Sequence, residues 1–584
     1  MPFLLRHWVL AYFALGFIGE ILFCVPGLAN AVGGALLDPD SYMRLVRIQV
    51  GLQHNSFADL VPNDASGDGT LLHWSHLLDG ILLALSAPLA PFLGWERALR
   101  WIGLGIGPVG VGCLGTAIAW SIRPWADQRW LWLAPAIAFL SPAIAGYGAV
   151  GVIHHHIPAA ITIVLSLGWV ARAIPGNPAA GWHAGFWAAL GIWLTPETMP
   201  FGVAGFATLV LAWLQAPHRA ELGLAIRRCG TAYLIMLALA LLIDPPYSGY
   251  GAVEIDRLSI VFLALGLVAF ASGQILAAVG RSTLPAAYCI LLGGGSALAL
   301  FGIWVALFPA VIRGPAGLLT PEETEALFGA IVEMEPITKI DSMLSYLACG
   351  TLAAIFALHQ FLQRREPIWG WIALCSAGLV GLGLAHIRFS TYSEIIGAAA
   401  LPLILARWDE SGARYPERAR ALVRVGLVSL FILLPILPRY FPSDQADADA
   451  GKAETACQLT NAGPWLAPYA GAVIMSQPTN APELLYRTQV KTVSSLFHRG
   501  IAAYMRERAA WRSTAAETVP DAVRETRAQY ILYCTGQKRN ALVRGLPKTT
   551  LMDQFADGHI PPWLQVESRL AGTDMVLYRI DPSS

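Results

Sequence analysis

Charge is what this chain has least of. Only 13% of its 584 residues are Asp, Glu, Lys or Arg, roughly half the share expected of a soluble domain. Neither sign dominates, with 39 basic and 39 acidic side chains, so nothing argues for nucleic-acid binding, which wants a basic face. No internal repeat is visible, which argues against a transporter built from duplicated halves around a midplane site. Cysteine is sparse as well. Cys24, Cys113, Cys229, Cys289, Cys349 and Cys375 lie in or beside apolar runs, as small buried thiols do. Cys457 and Cys534 stand alone in the polar C-terminal part, a pattern that predicts a disulfide and an oxidising compartment.

Hydrophobic residues make up 55% of the chain. Apolar runs near the length of a spanning helix, about 20 residues, occur at 8–28, 101–122, 130–147, 156–174, 182–195, 199–215, 228–243, 258–279, 284–308, 342–362, 369–387, 391–406 and 423–438. The run 77–95 is long enough to be another. Cytoplasmic loops collect Lys and Arg, and Arg123, Arg172, Arg227, Arg281, Arg364 and the group Arg407 to Arg424 all fall on one side only if 77–95 does not cross. The expectation is therefore a polytopic α-helical membrane protein of about thirteen spans, with its N-terminus inside. The segment 77–95 becomes an interfacial or re-entrant helix. Leu28-Ala29-Asn30-Ala31 looks like a signal-peptidase site, but the many later spans favour an uncleaved first helix.

Beyond residue 438 the hydrophobic length disappears. Val473–Met475, Tyr530–Tyr533 and Met575–Tyr578 read as short buried strands, and Ser494–Arg512 and Asp521–Arg527 as helices. Strands alternating with helices predict a small α/β domain, hung on an Asp/Ala-rich linker at 443–453. The expected division is a membrane domain, 1–438, and an external α/β domain, 439–584.

That topology collects the polar residues on the outer face. Asp38-Pro39-Asp40 follows the first span, and in an extended segment residues i and i+2 share a face, so both carboxylates could meet one divalent ion or one hydroxyl. Oxygen ligands suit Mg²⁺ or Mn²⁺. His154, His155 and His156 precede a span, where successive helical positions lie 100° apart, so at most two of them are expected to share an ion. Arg388 ends a span on the outer side, placed for a bidentate grip on phosphate. The loop 309–341 is long enough to be functional. Within it Thr320 reads as the N-cap of a helix through Glu322–Glu325, and Glu333 is the more interesting acid. Glu20 and Glu197 are acids within or between spans, which are functional candidates by default.

The pieces Asp38-Pro39-Asp40-Ser41-Tyr42-Met43-Arg44-Leu45, His73-Trp74-Ser75-His76-Leu77-Leu78-Asp79 and Gly151-Val152-Ile153-His154-His155-His156, with the late outer loop, the distal arginine and the trailing domain, resemble the GT-C glycosyltransferases. They most resemble the catalytic subunit of oligosaccharyltransferase and its bacterial relatives. The resemblance covers the membrane part. It implies an enzyme of the bacterial inner membrane, with its C-terminal domain in the periplasm, that moves a sugar or oligosaccharide from a polyprenyl-phosphate or -pyrophosphate donor to an acceptor on the periplasmic face. Asp38 or Asp40 would activate the acceptor, directly or through a cation held with His155 and His156. Glu333 would reach in from its loop, and Arg388, with Arg44, would hold the donor phosphate. Glu197, His73, His76 and Asp79 would complete the site.

Two departures stand out. The family's second acidic motif, Gly-Arg-Ile-Asp-His-His in the bacterial relatives, has Asp where this chain has His154 and Arg where it has Val152. The Trp-Trp-Asp motif that reads Ser or Thr beside an acceptor Asn does not occur in 439–584, which points to a glycan, a lipid or another protein side chain as acceptor. A non-enzymatic glycolipid carrier or transporter, dependent on midplane groups such as Glu20, and a glycan polymerase or ligase of another fold are the alternatives.

Overall fold

Every apolar run expected to span falls on a helix of the computed structural model, which describes residues 7–439, 457–514, 517–535 and 540–581. In chain order the helices that matter are α1 (Trp8–Phe23), α2 (Pro39–His54), α3 (Leu77–Ser86), α4 (Trp95–Ile122), α5 (Leu133–Leu140), α6 (Pro142–Gly148), α7 (His156–Ala173), α8 (Pro178–Leu194), α9 (Met199–Gln215), α10 (Arg219–Ile243), α11 (Ile260–Val279), α12 (Ser296–Leu307), α13 (Pro321–Phe328), α14 (Ile340–Arg364), α15 (Pro367–Ala385), α16 (Ser390–Ser411) and α17 (Glu417–Ile436). Ten stretches among the described residues are long and apolar enough to cross a membrane. The other three runs are α1, the pair α5–α6, and α8. The run 130–147 divides into α5 and α6 at Ser141, because Pro142 has no N–H to continue the helix. Helix α3 has 10 residues, about 15 Å, and cannot cross a hydrocarbon core of about 30 Å by itself.

The C-terminal part forms a mixed five-stranded sheet of β1 (Val473–Met475), β2 (Lys491–Thr492), β3 (Tyr530–Cys534), β4 (Leu564–Arg569) and β5 (Met575–Ile580), in the order β2-β1-β3-β5-β4. β1 runs parallel to β2 and β3, and β5 antiparallel to β3 and β4. Cys457 and Cys534 are bridged, with Cα atoms 5.6 Å apart. The linker 443–453 lies outside the described residues.

The helix expected from Ser494 begins only at Ile501. The hydroxyls of Ser494 and Ser495 donate to Glu507 and Asp64, which holds 494–497 out of helical form, and His498 pairs with Asp256 at 2.6 Å in a single 3₁₀ turn, His498–Gly500, ahead of the helix. The second expected helix is shorter too, ending at Glu525. Further contacts fasten the sheet domain to the membrane part. The Tyr42 hydroxyl donates to Glu483 at 2.9 Å, and Arg487 donates to the Gly34 carbonyl at 2.8 Å.

Glu507 is fully enclosed in this junction, and burial, with the nearby Asp64 carboxylate, pushes its carboxyl up to about 8. The folded chain therefore keeps a proton that the unfolded chain releases near pH 4.3. Stability from this group falls as pH rises between about 4.5 and about 8, then levels off. Glu507→Gln should leave stability unchanged at pH 4.5 and raise it relative to wild type by on the order of 2 to 4 kcal/mol at pH 8. Melting of the full chain in detergent at several pH values checks this. Parallel wild-type and variant curves would contradict it.

Candidate active site

Helix α2 begins with Pro39 at its first position and Asp38 as N-cap, in extended conformation. The Asp38 carboxylate accepts from Ser41 N at 2.8 Å and from Ser41 Oγ at 2.6 Å. Because the helix starts between the two acids, they do not share a face as an extended segment would require. Asp38 turns back onto the helix end, and Asp40 points outward to His154, with Oδ2 3.2 Å from Nε2. Burial holds the Asp38 carboxyl above the ordinary carboxylate range, offset in part by His154 and the Ser41 bonds.

Ser41 also builds the site from its other side. Its Oγ accepts from Ile153 N at 2.7 Å, docking the histidine segment beside the acids. Gly151, at φ +88°, lets the chain reverse there. Helix α7 starts only at His156, so the 100° spacing does not apply to His154 and His155. All three imidazoles converge, each offering a nitrogen within 4.8 Å of the others, which corrects the expectation that at most two could meet. Among the described residues, Nδ1 of each ring is buried without a hydrogen-bond partner, as is Nε2 of His156. Burial opposes a charge on His154, but hydrogen bonding to Asp40 and the charges of Asp40 and Asp38 hold its pKa above the usual histidine value. His155 is driven well below it by burial and by His154 and Arg44.

Three distant stretches close the cluster. Glu197, on the turn between α8 and α9, pairs with Arg388 and lies 3.7 Å from His156 Nδ1. Glu333 lies 3.8 Å from Arg388. The Tyr147 hydroxyl, at the end of α6, donates to Glu333 at 2.6 Å, and its ring packs on His156 and His154 with centroids 4.4 and 5.3 Å apart. Loop 309–341 is fastened here by Ile337 N donating to the Leu384 carbonyl and Ile387 N to that of Glu335. Farther along the loop, Thr320 caps α13 with a reciprocal Glu323 bond, as expected. Tyr147 escaped the sequence reading. Its one signal was a lone tyrosine, flanked by glycines, shortly before the histidines.

Four expected site residues have structural partners instead. Arg44 is buried and bonded to Asp79 at 2.8 Å, with its guanidinium 4.5 Å above the Trp74 ring, so it cannot also hold a donor phosphate. Asp79 is buried between Arg44 and Arg47. His76 bonds Asp244 at 2.8 Å, next to Arg257 and Asp59. The His73 ring lies 4.5 Å from that of His498, against the sheet domain, and burial depresses its pKa strongly. Glu20 is buried on α1, accepts from Cys24 Sγ at 2.9 Å and lies against Gly148.

The fold as a whole is similar to solved structures. The chain is similar to archaeal oligosaccharyltransferase AglB from Archaeoglobus fulgidus in complex with an inhibitory peptide and a dolichol-phosphate, with TM-score 0.64 over 91% of this chain and 70% of that one, at 14% identity. The fold is that of an oligosaccharyltransferase. Two further structures of the Archaeoglobus fulgidus oligosaccharyltransferase agree. The apo form gives TM-score 0.67 at 13% identity, covering 94% of this chain and 72% of that one. The complex with Zn and sulfate gives 0.64 at 14%, covering 90% and 68%. No protein-family profile and no curated protein matches the sequence. In this oligosaccharyltransferase fold, Asp40, the histidine cluster and Arg388 meet Glu333 of the loop that follows α12.

Proposed function

We propose that this chain is a membrane glycosyltransferase that moves a sugar or oligosaccharide from a polyprenyl-phosphate or -pyrophosphate donor to an acceptor at the outer face of a bacterial inner membrane. Its catalytic part is 1–438, and 439–584 lies in the periplasm. The observation that carries this reading is the convergence of Asp40, His154–His156, Glu333 and Arg388 from four separate stretches. A carrier needs no such meeting of acid, imidazole and guanidinium at one end of the bundle. The solved neighbours support it, since one is in complex with a dolichol-phosphate and another is tethered to an acceptor peptide containing the NVT sequon.

In this mechanism Asp40 is the general base. Its carboxylate takes the acceptor proton as the acceptor atom bonds to the anomeric carbon and the bond from that carbon to the phosphate oxygen breaks. Arg388, now held by Glu197 and Glu333, exchanges a carboxylate for the leaving phosphate and offsets its charge. Tyr147 keeps Glu333 against the histidines. Asp38 holds the end of α2 so that Asp40 faces His154.

The buried ring nitrogens, unpartnered among the described residues, fit a divalent cation held by the three histidines. Imidazole donors suit Zn²⁺ or Mn²⁺ better than Mg²⁺, and one solved neighbour is in complex with Zn. Such a cation would supply positive charge for the phosphate and the acceptor oxygen.

The direct test is full-length protein in proteoliposomes with a polyprenyl-phosphate-linked sugar and a mixed glycan, lipid and peptide acceptor pool. Release of polyprenyl phosphate with sugar on an acceptor is expected. Sugar-lipid crossing the bilayer without release would replace this reading with the carrier.

A further inference from the structure

Glu394, on α16, is fully buried inside the helix bundle and has no place in the chemistry above. No ion pair among the described residues includes it. Its Oε2 accepts from Ser141 Oγ at 3.3 Å, and its Oε1 accepts from Gly350 N of α14 at 3.1 Å. Ser141 is the break between α5 and α6, where the backbone turns extended ahead of Pro142. One turn before Glu394, Thr391 Oγ1 donates to the Ala143 carbonyl in the first turn of α6 at 2.7 Å. One turn earlier still comes Arg388. Helix α16 thus grips the start of α6 at two levels, and Arg388 meets the active site at the third.

A carboxyl group in a bundle core is not there for stability, since a well-packed apolar side chain would serve at least as well. An ionisable residue at such depth is functional by default. What Glu394 fixes is the rotation and height of α6, a helix of only 7 residues. That helix carries Tyr147, whose hydroxyl holds Glu333 and whose ring backs two of the histidines.

We infer that Glu394 is a positioning residue, which clamps the break at Ser141 so that α6 presents Tyr147 to Glu333 and the histidine cluster. Its effect on turnover rests on the glycosyl-transfer reading, but its effect on α6 does not.

The experiment compares full-length wild type, Glu394→Leu, Glu394→Gln and Ser141→Ala, by hydrogen exchange of peptides across the chain and by kcat and KM for release of polyprenyl phosphate. For Glu394→Leu, exchange over 142–156 should accelerate about tenfold, while peptides from α10 and α11 stay at wild-type rates. Its kcat should fall about tenfold or more with KM for the donor unchanged. Glu394→Gln, which keeps an acceptor oxygen, should restore both. If Glu394→Leu does not fold, Ser141→Ala, which removes a single hydroxyl, should show the same local acceleration at several-fold. Wild-type exchange over 142–156 in the folded variants, or equal acceleration throughout the bundle, overturns the inference. A local acceleration with no release of polyprenyl phosphate by any preparation, wild type included, supports the clamp and removes the transferase.

Discussion

Asp40→Asn should lower sugar transfer about a thousandfold while the protein remains folded, which is the loss expected for a general base. The substitution keeps the shape of the side chain and removes only the charge and the basic oxygen. Asp40 is partly exposed and its one ion pair among the described residues is with His154, so little of the fold depends on it. Asp38→Ala should behave differently. It deletes both bonds to Ser41 and with them the cap of α2, about 1 kcal/mol, and through Ser41 it loosens the Ile153 contact that docks the histidines. Its deficit should be smaller and largely recovered in Asp38→Asn, because Asn caps a helix as well as Asp does. Polyprenyl phosphate released per unit of monodisperse protein, alongside a melting curve, separates the two. Asp40→Asn turning over at the wild-type rate would rule out the proposed base.

The parts of the fold that could be read from the sequence were those set by local length and composition. Thirteen apolar runs became helices because burying backbone in lipid leaves no other choice, and Thr320 capped α13 because its partner lies three residues away. The isolated pair Cys457 and Cys534 bonded as expected. The acidic and histidine motifs, Glu197, Glu333 and Arg388 could be picked out one by one as candidates, and the fold brings them near one another. What could not be read was which way those side chains turn. The helix start at Pro39 separated Asp38 from Asp40, and the late start of α7 let three histidines converge. Partners far away in sequence decided the rest. Arg44 was assigned to phosphate because nothing nearby in the chain reveals that Asp79 takes it, 35 residues on. Tyr147 and Glu394 were hidden in apolar helices, and only the break at Ser141 gives them a role.

That reassignment of Asp79 carries the other large expectation. Asp79→Asn should prevent the chain from accumulating as folded protein. Two guanidiniums, Arg44 and Arg47, are almost entirely buried around this one carboxylate. The local charge is already one positive in excess, softened by the Trp74 ring 4.5 Å from Arg44 and by the Trp74 and Ser75 carbonyls that accept from Arg47 at 2.7 and 3.0 Å. Neutralising Asp79 removes the carboxylate that both buried cations pair with, a loss of about 3–5 kcal/mol against a typical total stability of about 5–15 kcal/mol. Trp74 also packs edge-on against Phe497, 5.2 Å away, so the damage should reach the seat of the sheet domain. Adding Arg44→Met to Asp79→Asn removes one of the stranded charges and should recover part of the yield. The measurement is the amount of monodisperse protein after detergent extraction, with its melting midpoint. If Asp79→Asn instead extracts and melts like wild type yet fails to transfer sugar, Asp79 belongs to the chemistry, and the partition between the Asp40 cluster and this hub is wrong.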